Sequence, residues 1–291
     1  MSITDATAPL DEWRAVLAWY EQAGISTFVG ETPRDRFAET EAEASRRRSP
    51  AAEAKPKPAQ PPAPATRPAV AARPAPIAPD ADATSAADAR DQAVRAQTLG
   101  ELREMLAAFT GCGLRQTAKN LVFGNGAEDA DVMFVGEAPG RDEDLAGEPF
   151  VGKSGQLLNR MLATIGIERD AVRVTNTVPW RPPGNRAPTP AETEACLPFT
   201  LRHIELVRPR VVVSVGSSSC RALLRTDEGI TRLRGRWLSL TTPGGLELPV
   251  LPILHPAFLL RQPMQKRLAW RDLQTLRDKL AEPATPHRNN M

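Results

Sequence analysis

VMFVGEAPGRDEDLAGEPFV, running from Val132 to Val151, is the stretch that decides how this chain folds. Four apolar residues, Val132-Met133-Phe134-Val135, stop at Gly136-Glu137-Ala138-Pro139-Gly140. The carboxylates Asp142, Glu143 and Asp144 come next, and then Gly147-Glu148-Pro149-Phe150-Val151-Gly152. A short apolar run without polar alternation reads as a strand covered on both faces. A Gly/Pro-rich acidic loop at the C-terminal end of such a strand is where α/β proteins place their chemistry.

Working outward, the flanking sequence repeats the same pattern. Strands are expected at 131–135, 172–175, 211–215 and 250–254, with helices at 99–109, 154–165, 191–207, 218–224 and 265–280 between and around them. In the second of these helices Leu157, Leu158, Met161, Leu162 and Ile165 share one face. Alternating strands and helices, with strands rich in Val, Ile and Leu, predict an α/β fold. Its form is three layers, α/β/α, around a central, mostly parallel four-stranded sheet. Pro252 either argues against the last strand or places it at a sheet edge, and Arg232, Arg234 and Arg236 fall in a hairpin-like stretch.

The N-terminal part differs. Trp13, Val16, Leu17 and Tyr20 recur at helical spacing before Gly24, so 1–28 is expected to hold a short amphipathic helix that caps the fold or binds a protein partner. The 291-residue chain holds 28 prolines, well above average use, and they crowd most densely between residues 56 and 79. Residues 29–95, Ala/Pro-rich with scattered Lys and Arg, are expected to be a disordered tether, because they cannot bury enough apolar surface to offset chain entropy. The folded domain is then 96–283, with 284–291 as a tail. A charged share of 25% and a net charge of +2 are ordinary for a globular protein. Three cysteines argue against a secreted disulfide scaffold. Neither a signal-peptide pattern nor an apolar run near the ~18 residues of a membrane span is seen, so the expectation is a monomeric cytoplasmic protein with no membrane contact.

Three of the expected strands end in unusual polar residues: Glu137, Asn176 and His255. In a parallel sheet these ends share one edge, so a carboxylate, an amide and an imidazole meet in one crevice beside Phe150. Each has an ordinary alternative, a loop acid, a turn amide, a buried histidine and a core aromatic ring, and the joint placement favours a site. The loop lacks both GxGxxG and a Gly-rich Lys-Ser/Thr signature, which disfavours a nucleotide-phosphate loop.

At these residues the chain resembles the uracil-DNA glycosylase superfamily, and most closely its type-4 branch. The matching motifs are GEAPGRDED from Gly136, GEPFVGKSGQLL from Gly147, TNTVPWRPPGNRAPTPAE from Thr175, VVVSVGSSS from Val211 and HPAFLL from His255. The resemblance implies a DNA repair hydrolase that cleaves the N-glycosidic bond of uracil, and of other deaminated bases if they fit, leaving an abasic site. A flipped uracil would stack on Phe150 and pair with Asn176. His255 would donate toward O2, where charge grows as the bond breaks. Glu137 or Glu143 would hold the attacking water. Gly136, Ala138, Asn185 and Ser217 complete the expected base-binding set. DNA contacts are expected from Ser154, Arg186 and Arg261, with Leu259 or Leu260 as a wedge. No lysine nucleophile is implied. A non-catalytic uracil- or DNA-binding relative tethered to another repair factor is the competing reading.

One departure from the family stands out. Type-4 members typically hold a four-iron, four-sulfur cluster on four cysteines. Here Cys112 and Cys196 match two of those positions, Phe109 and Trp180 occupy the other two, and Cys220 lies elsewhere. Two thiolates do not make the usual four-ligand site, so no metal or cofactor is expected; a rearranged 4Fe-4S cluster using Cys220 is the disfavoured alternative. Phe109 and Trp180 would fill the space by packing instead.

Overall fold

The computed structural model describes residues 81–283. The amphipathic helix expected within 1–28, most of the expected tether and the expected tail lie outside the described residues.

The first described element is α1 (Ala81–Ala93), followed by α2 (Leu99–Ala108). The expected domain boundary at residue 96 therefore falls too late. Ala89 and Ala93 of α1, and Ala96 just after it, are buried in the core, and Ala-rich sequence that reads as low complexity here supplies a flat helix face for close packing. Then come β1 (Val132–Gly136), α3 (Arg141–Ala146), α4 (Lys153–Ala163), β2 (Arg173–Asn176) and α5 (Pro190–Val207). The chain continues through β3 (Val211–Val215), α6 (Ser217–Leu224), α7 (Ile230–Leu233), β4 (Leu238–Thr241) and β5 (Glu247–Ile253). It ends in α8 (Pro256–Arg261) and α9 (Lys266–Ala281).

The sheet has five strands in the order β2-β1-β3-β5-β4, one more than expected. β2, β1, β3 and β5 run parallel, and β4 is antiparallel to β5. The extra strand arises where the sequence showed only an arginine-rich hairpin. β5 is interior, so Pro252 does not mark an edge. Its carbonyl accepts from Gly235 N–H at 3.0 Å, beyond the end of the β4–β5 ladder, so its missing N–H costs the ladder nothing.

Pleating sends alternate residues of each strand into two apolar layers. Met133 and Val135 pack with Val212, Val250 and the α1, α2, α5 and α6 side. Val132 and Phe134 pack with Val213, Leu251 and the α4 and α9 side. Both faces are covered, which is why these strands are apolar throughout. α5 begins at a capping box: Thr189 accepts from Glu192 N–H, and Glu192 reaches back to Thr189 N–H. Among the described residues no helix is long and apolar enough to cross a membrane.

Candidate active site

The C-terminal ends of β1, β2, β3 and β5 form the crevice, and backbone hydrogen bonds fix its walls. Gly136 lies opposite Asn176 in the β1–β2 register. Just beyond, Thr177 N–H donates to Gly136 O at 2.9 Å and Val178 N–H to Glu137 O at 3.0 Å. Thr177 Oγ1 adds a bond to Glu137 O at 2.8 Å, and Thr200 Oγ1 from α5 donates to Thr177 O at 3.2 Å. The segment carrying Asn176 is thus stapled to the segment carrying Glu137. The sequence alone did not single out Thr177 or Thr200; threonines beside a strand end were the available signal.

Glycines set the close approaches. A Cβ on Gly136 would collide with the Asn176 side-chain oxygen and come within 2.8 Å of the Phe150 ring. Gly155, in the first turn of α4, has the Phe150 carbonyl where its Cβ would be. Phe150 itself holds a left-handed φ of 57°, an uncommon conformation for a bulky residue. Gly216, at φ 93°, would place a Cβ 3.1 Å from that of His255. The sequence alone did not single out Gly155; a glycine inside a helical pattern was the available signal.

The polar groups divide sharply. Asn176 is 4% exposed, yet its side-chain amide has no bonding partner among the described residues. No fully buried side-chain nitrogen or oxygen there lacks a partner, so the amide opens to the crevice. His255 caps α8, and its Nδ1 accepts from Ala257 N–H at 3.1 Å. In the neutral ring that leaves the proton on Nε2. Burial, and after it the charge of Arg261, pulls the imidazole down to about 4, so it is neutral at ordinary pH. Its ring faces Phe150 at 5.8 Å between centroids and 30° between planes.

The two glutamates separate as well. Glu143 accepts from Gly140 N–H at 3.1 Å and from Gly152 N–H at 3.0 Å. One carboxylate oxygen caps α3 and the other ties the loop before α4 to it. Glu137 is half-buried and its carboxylate has no partner among the described residues. Asp144, read from sequence only as one of a carboxylate cluster, is 2% exposed. It accepts from the backbone N–H groups of Lys119 at 2.8 Å and Asn120 at 3.2 Å, with Arg181 at 3.8 Å.

The structure thus brings Gly136, Glu137, Phe150, Asn176 and His255 together, with Ala138 half-buried on the same loop. Ser217 is half-buried in the first turn of α6, next to the Gly216 on which His255 packs. Asn185 is not brought to them: it lies exposed on a turn, and its Oδ1 accepts from Arg181 Nε at 2.7 Å. Among the expected DNA contacts, Ser154 is half-buried in the first turn of α4 and Arg261 is exposed. Arg186 is committed elsewhere, in a two-bond pair with Glu192 at 2.8 and 2.6 Å. That pairing holds the Glu192 carboxyl down at about 2 and completes the start of α5. Leu259 is 1% exposed and belongs to the core, whereas Leu260 is 40% exposed, because adjacent positions on a helix face different ways. Arg234 is likewise taken, by a buried ion pair with Asp272.

The space for the family's cluster does not fit one here. Phe109, Cys112, Trp180 and Cys196 are at most 3% exposed and lie in one apolar cluster with Phe199. The Phe109 and Phe199 rings stand 5.1 Å apart at 56°. Cys112 and Cys196 are hydrogen-bonded thiol to thiol, and that bond together with burial pushes Cys196 up. Cys220 sits on α6 beside Ser214. Among the described residues no three His, Cys, Asp or Glu side chains form a group that could hold a metal.

Residues 123–274 match the family model described as the uracil DNA glycosylase superfamily. This chain belongs to that superfamily. Over 171 residues it is 40% identical to the type-4 uracil-DNA glycosylase of Archaeoglobus fulgidus, a span of 57% of this chain and 85% of that protein. The type-4 uracil-DNA glycosylase of Thermotoga maritima is 39% identical over 171 residues, 57% of this chain and 85% of the relative. That of Pyrobaculum aerophilum is 38% identical over 179 residues, 60% of this chain and 91% of the relative. The superfamily match spans β1 through most of α9 and so includes every wall of the crevice.

Proposed function

We propose that this chain is a monofunctional uracil-DNA glycosylase that hydrolyses the N-glycosidic bond of uracil in DNA and leaves an abasic site. The observation that carries the reading is the Asn176 amide, nearly buried, without a protein partner and facing the same crevice as Phe150 and His255. A uracil flipped from the stack pairs with that amide: Oδ1 accepts from N3–H and Nδ2 donates to O4. Cytosine presents an acceptor at N3 and a donor at C4, so both bonds are lost and buried polar groups stay unpaired. Phe150 supplies the stacking face.

As the glycosidic bond lengthens, negative charge gathers on the base and positive charge on the sugar. His255 donates its Nε2–H to the uracil O2 as that charge grows. A neutral donor suits this step, since it stabilises the leaving anion without having to give up its proton. Glu137, with both carboxylate oxygens available, orients the attacking water and offsets the sugar's positive charge. Glu143 has both oxygens committed to backbone N–H groups and acts as a clamp on the loop. Lys153 is exposed and has no part in the step, so no Schiff base forms. Ser154, Arg261 and Leu260 are the groups offered to the DNA backbone and the stack. The reaction runs without an iron–sulfur cluster, whose place is taken by Phe109 and Trp180.

The test uses the full chain, with iron measured, and an end-labelled oligonucleotide carrying one uracil, assayed in EDTA against a thymine control. Expected are iron well below one atom per chain, uracil-dependent scission after alkali, and intact strands without alkali. Asn176→Asp should lower the rate on the order of 10²–10³-fold, the size seen for removing one transition-state donor. Retention of the DNA without any cleavage by the wild-type chain would instead make it a binding protein, and stoichiometric iron would overturn the cluster-free reading.

A further inference from the structure

The sheet ends differently at its two edges. Beyond β2 the edge is covered: Asn125 N–H donates to Val174 O at 3.1 Å and Val174 N–H to Asn125 O at 2.9 Å. Beyond β4 no such cover is present among the described residues. Ser239 lies opposite Pro249 in the antiparallel pair. Proline has no N–H to exchange, so this is a non-hydrogen-bonded pair, and the Ser239 N–H and C=O point away from β5. Thr241, two residues on and opposite Glu247, has the same orientation. The phase agrees with the turn, where Thr242 N–H donates inward to Leu246 O at 2.9 Å. Natural edge strands are blunted by charge, proline or a covering segment; β4, Leu-Ser-Leu-Thr, carries neither charge nor proline, and no described segment covers it.

Beside this open edge lies a groove of about 450 Å³, between α5, the end of α6 and β4. Leu197, Leu201, Ala222 and Leu224 line it, as do Ser239 and Thr241. Arg90 of α1 stands at its rim, exposed and without a partner among the described residues. The rim also carries Arg225, in an exposed pair with Glu194 at 3.3 Å. The rim is therefore net positive.

We infer that β4 and this groove form a docking site for an extended segment of a partner protein, added as a sixth strand. Two outward N–H and two outward C=O groups, spaced two residues apart, match the backbone of a β-strand. A strand seated there alternates its side chains, so every second one enters the apolar groove while an acidic residue reaches Arg90. A phosphate backbone would meet two carbonyls and an apolar floor, and a small ligand would leave the strand edge unused. The site lies away from the crevice residues, so occupation tethers a partner without blocking the base pocket.

The probe is a phage-displayed library of random twelve-residue peptides, selected on the full wild-type chain. Enriched peptides are then synthesised and titrated against wild type, Thr241→Pro and Arg90→Glu. Proline at 241 removes an outward N–H while the β4–β5 ladder keeps its bonds. Expected are sequences alternating apolar residues with an acidic one, and binding weakened at least about tenfold by either substitution. Slowed amide exchange at Ser239 and Thr241 should accompany binding, with uracil excision by both variants unchanged. The inference is overturned by failure to enrich any peptide or by peptides that bind Thr241→Pro as well as wild type. A concentration-dependent dimer abolished by Thr241→Pro would also overturn it, since the edge would then serve a second copy of the chain.

Discussion

Asn176 stands between two regions built on opposite rules. Toward the crevice, its amide, the Glu137 carboxylate and the His255 Nε2–H are held in place by backbone bonds and, among the described residues, left with nothing of their own to bond. Behind it, Phe109, Trp180, Phe199 and the Cys112–Cys196 pair are packed dry. A void of about 10 Å³ lies there, lined in part by Asn176, Cys196, Phe199 and His203, at the lower limit for one water. On the proposed function, the front is polar and unsatisfied because a flipped base completes it. The back is apolar and complete because it only has to hold the loops still. On the cluster-free reading proposed above, ring packing fixes these loops in place of metal–sulfur bonds, weaker per contact but without a cofactor.

The largest expected effect tests the back. Trp180 is 2% exposed and sits at the head of the loop that leaves β2. Trp180→Ala should cost about 3–5 kcal/mol of stability, as for other buried large aromatic side chains, read as a lowered urea midpoint with an unchanged slope. Excision under conditions where the variant is folded should fall far less than for Asn176→Asp. A loss below ~1 kcal/mol would mean the rings do not hold the loop, and the contrast between front and back would collapse.

How much was legible in the sequence differs between the two regions. The front was written in short motifs, because a strand end, a close-approach glycine and a polar residue at one shared sheet edge leave little freedom. Glu137, Asn176, Phe150 and His255 were singled out that way, and the structure places them at one crevice. The back was visible only as cysteines missing from expected positions, since any well-packed aromatic fills such a space and no pattern marks which one. Two other features were hidden. The α1 helix lies in Ala-rich sequence, and its Ala89 and Ala93, with Ala96 just after it, gain meaning only against α5. β4 is too short for its alternation to stand out. Arg186 and Leu259 went to structural duties because a charge or an apolar side chain near a site has no mark in sequence for which way it turns.

A smaller effect sharpens the front itself, by splitting the two glutamates. Glu137→Gln removes a free carboxylate and should lower kcat with little change in unfolding midpoint. Glu143→Gln keeps one acceptor oxygen for the two backbone N–H groups and weakens a charge-assisted clamp. It should cost about 1.5 kcal/mol of stability, with KM affected more than kcat as the loop loosens. Identical profiles for the two variants would show that free and clamped carboxylates are not distinct in function, and the assignment of Glu137 to the water would fail.

The smallest expected effect is the absence of one. An exposed histidine titrates near 6.5, but burial and Arg261 bring His255 to about 4. Catalysis that depends on neutral His255 should therefore show no inflection from it between about pH 5.5 and 8. Stability behaves differently. His203, buried against Arg173, is also held well below its ordinary value, so for both histidines the unfolded chain binds protons more readily than the folded one. Stability from these groups is fully present above about 6.5 and is lost as pH falls toward the folded-state values. Measured side by side, kcat/KM should stay level as pH drops from 7.5 to 5.5 while the urea midpoint declines. A kcat/KM that falls with a midpoint near 6.5 would mean that His255 is solvated like an exposed imidazole. The front of Asn176 would then lack the dry, neutral donor on which the contrast with the packed back depends.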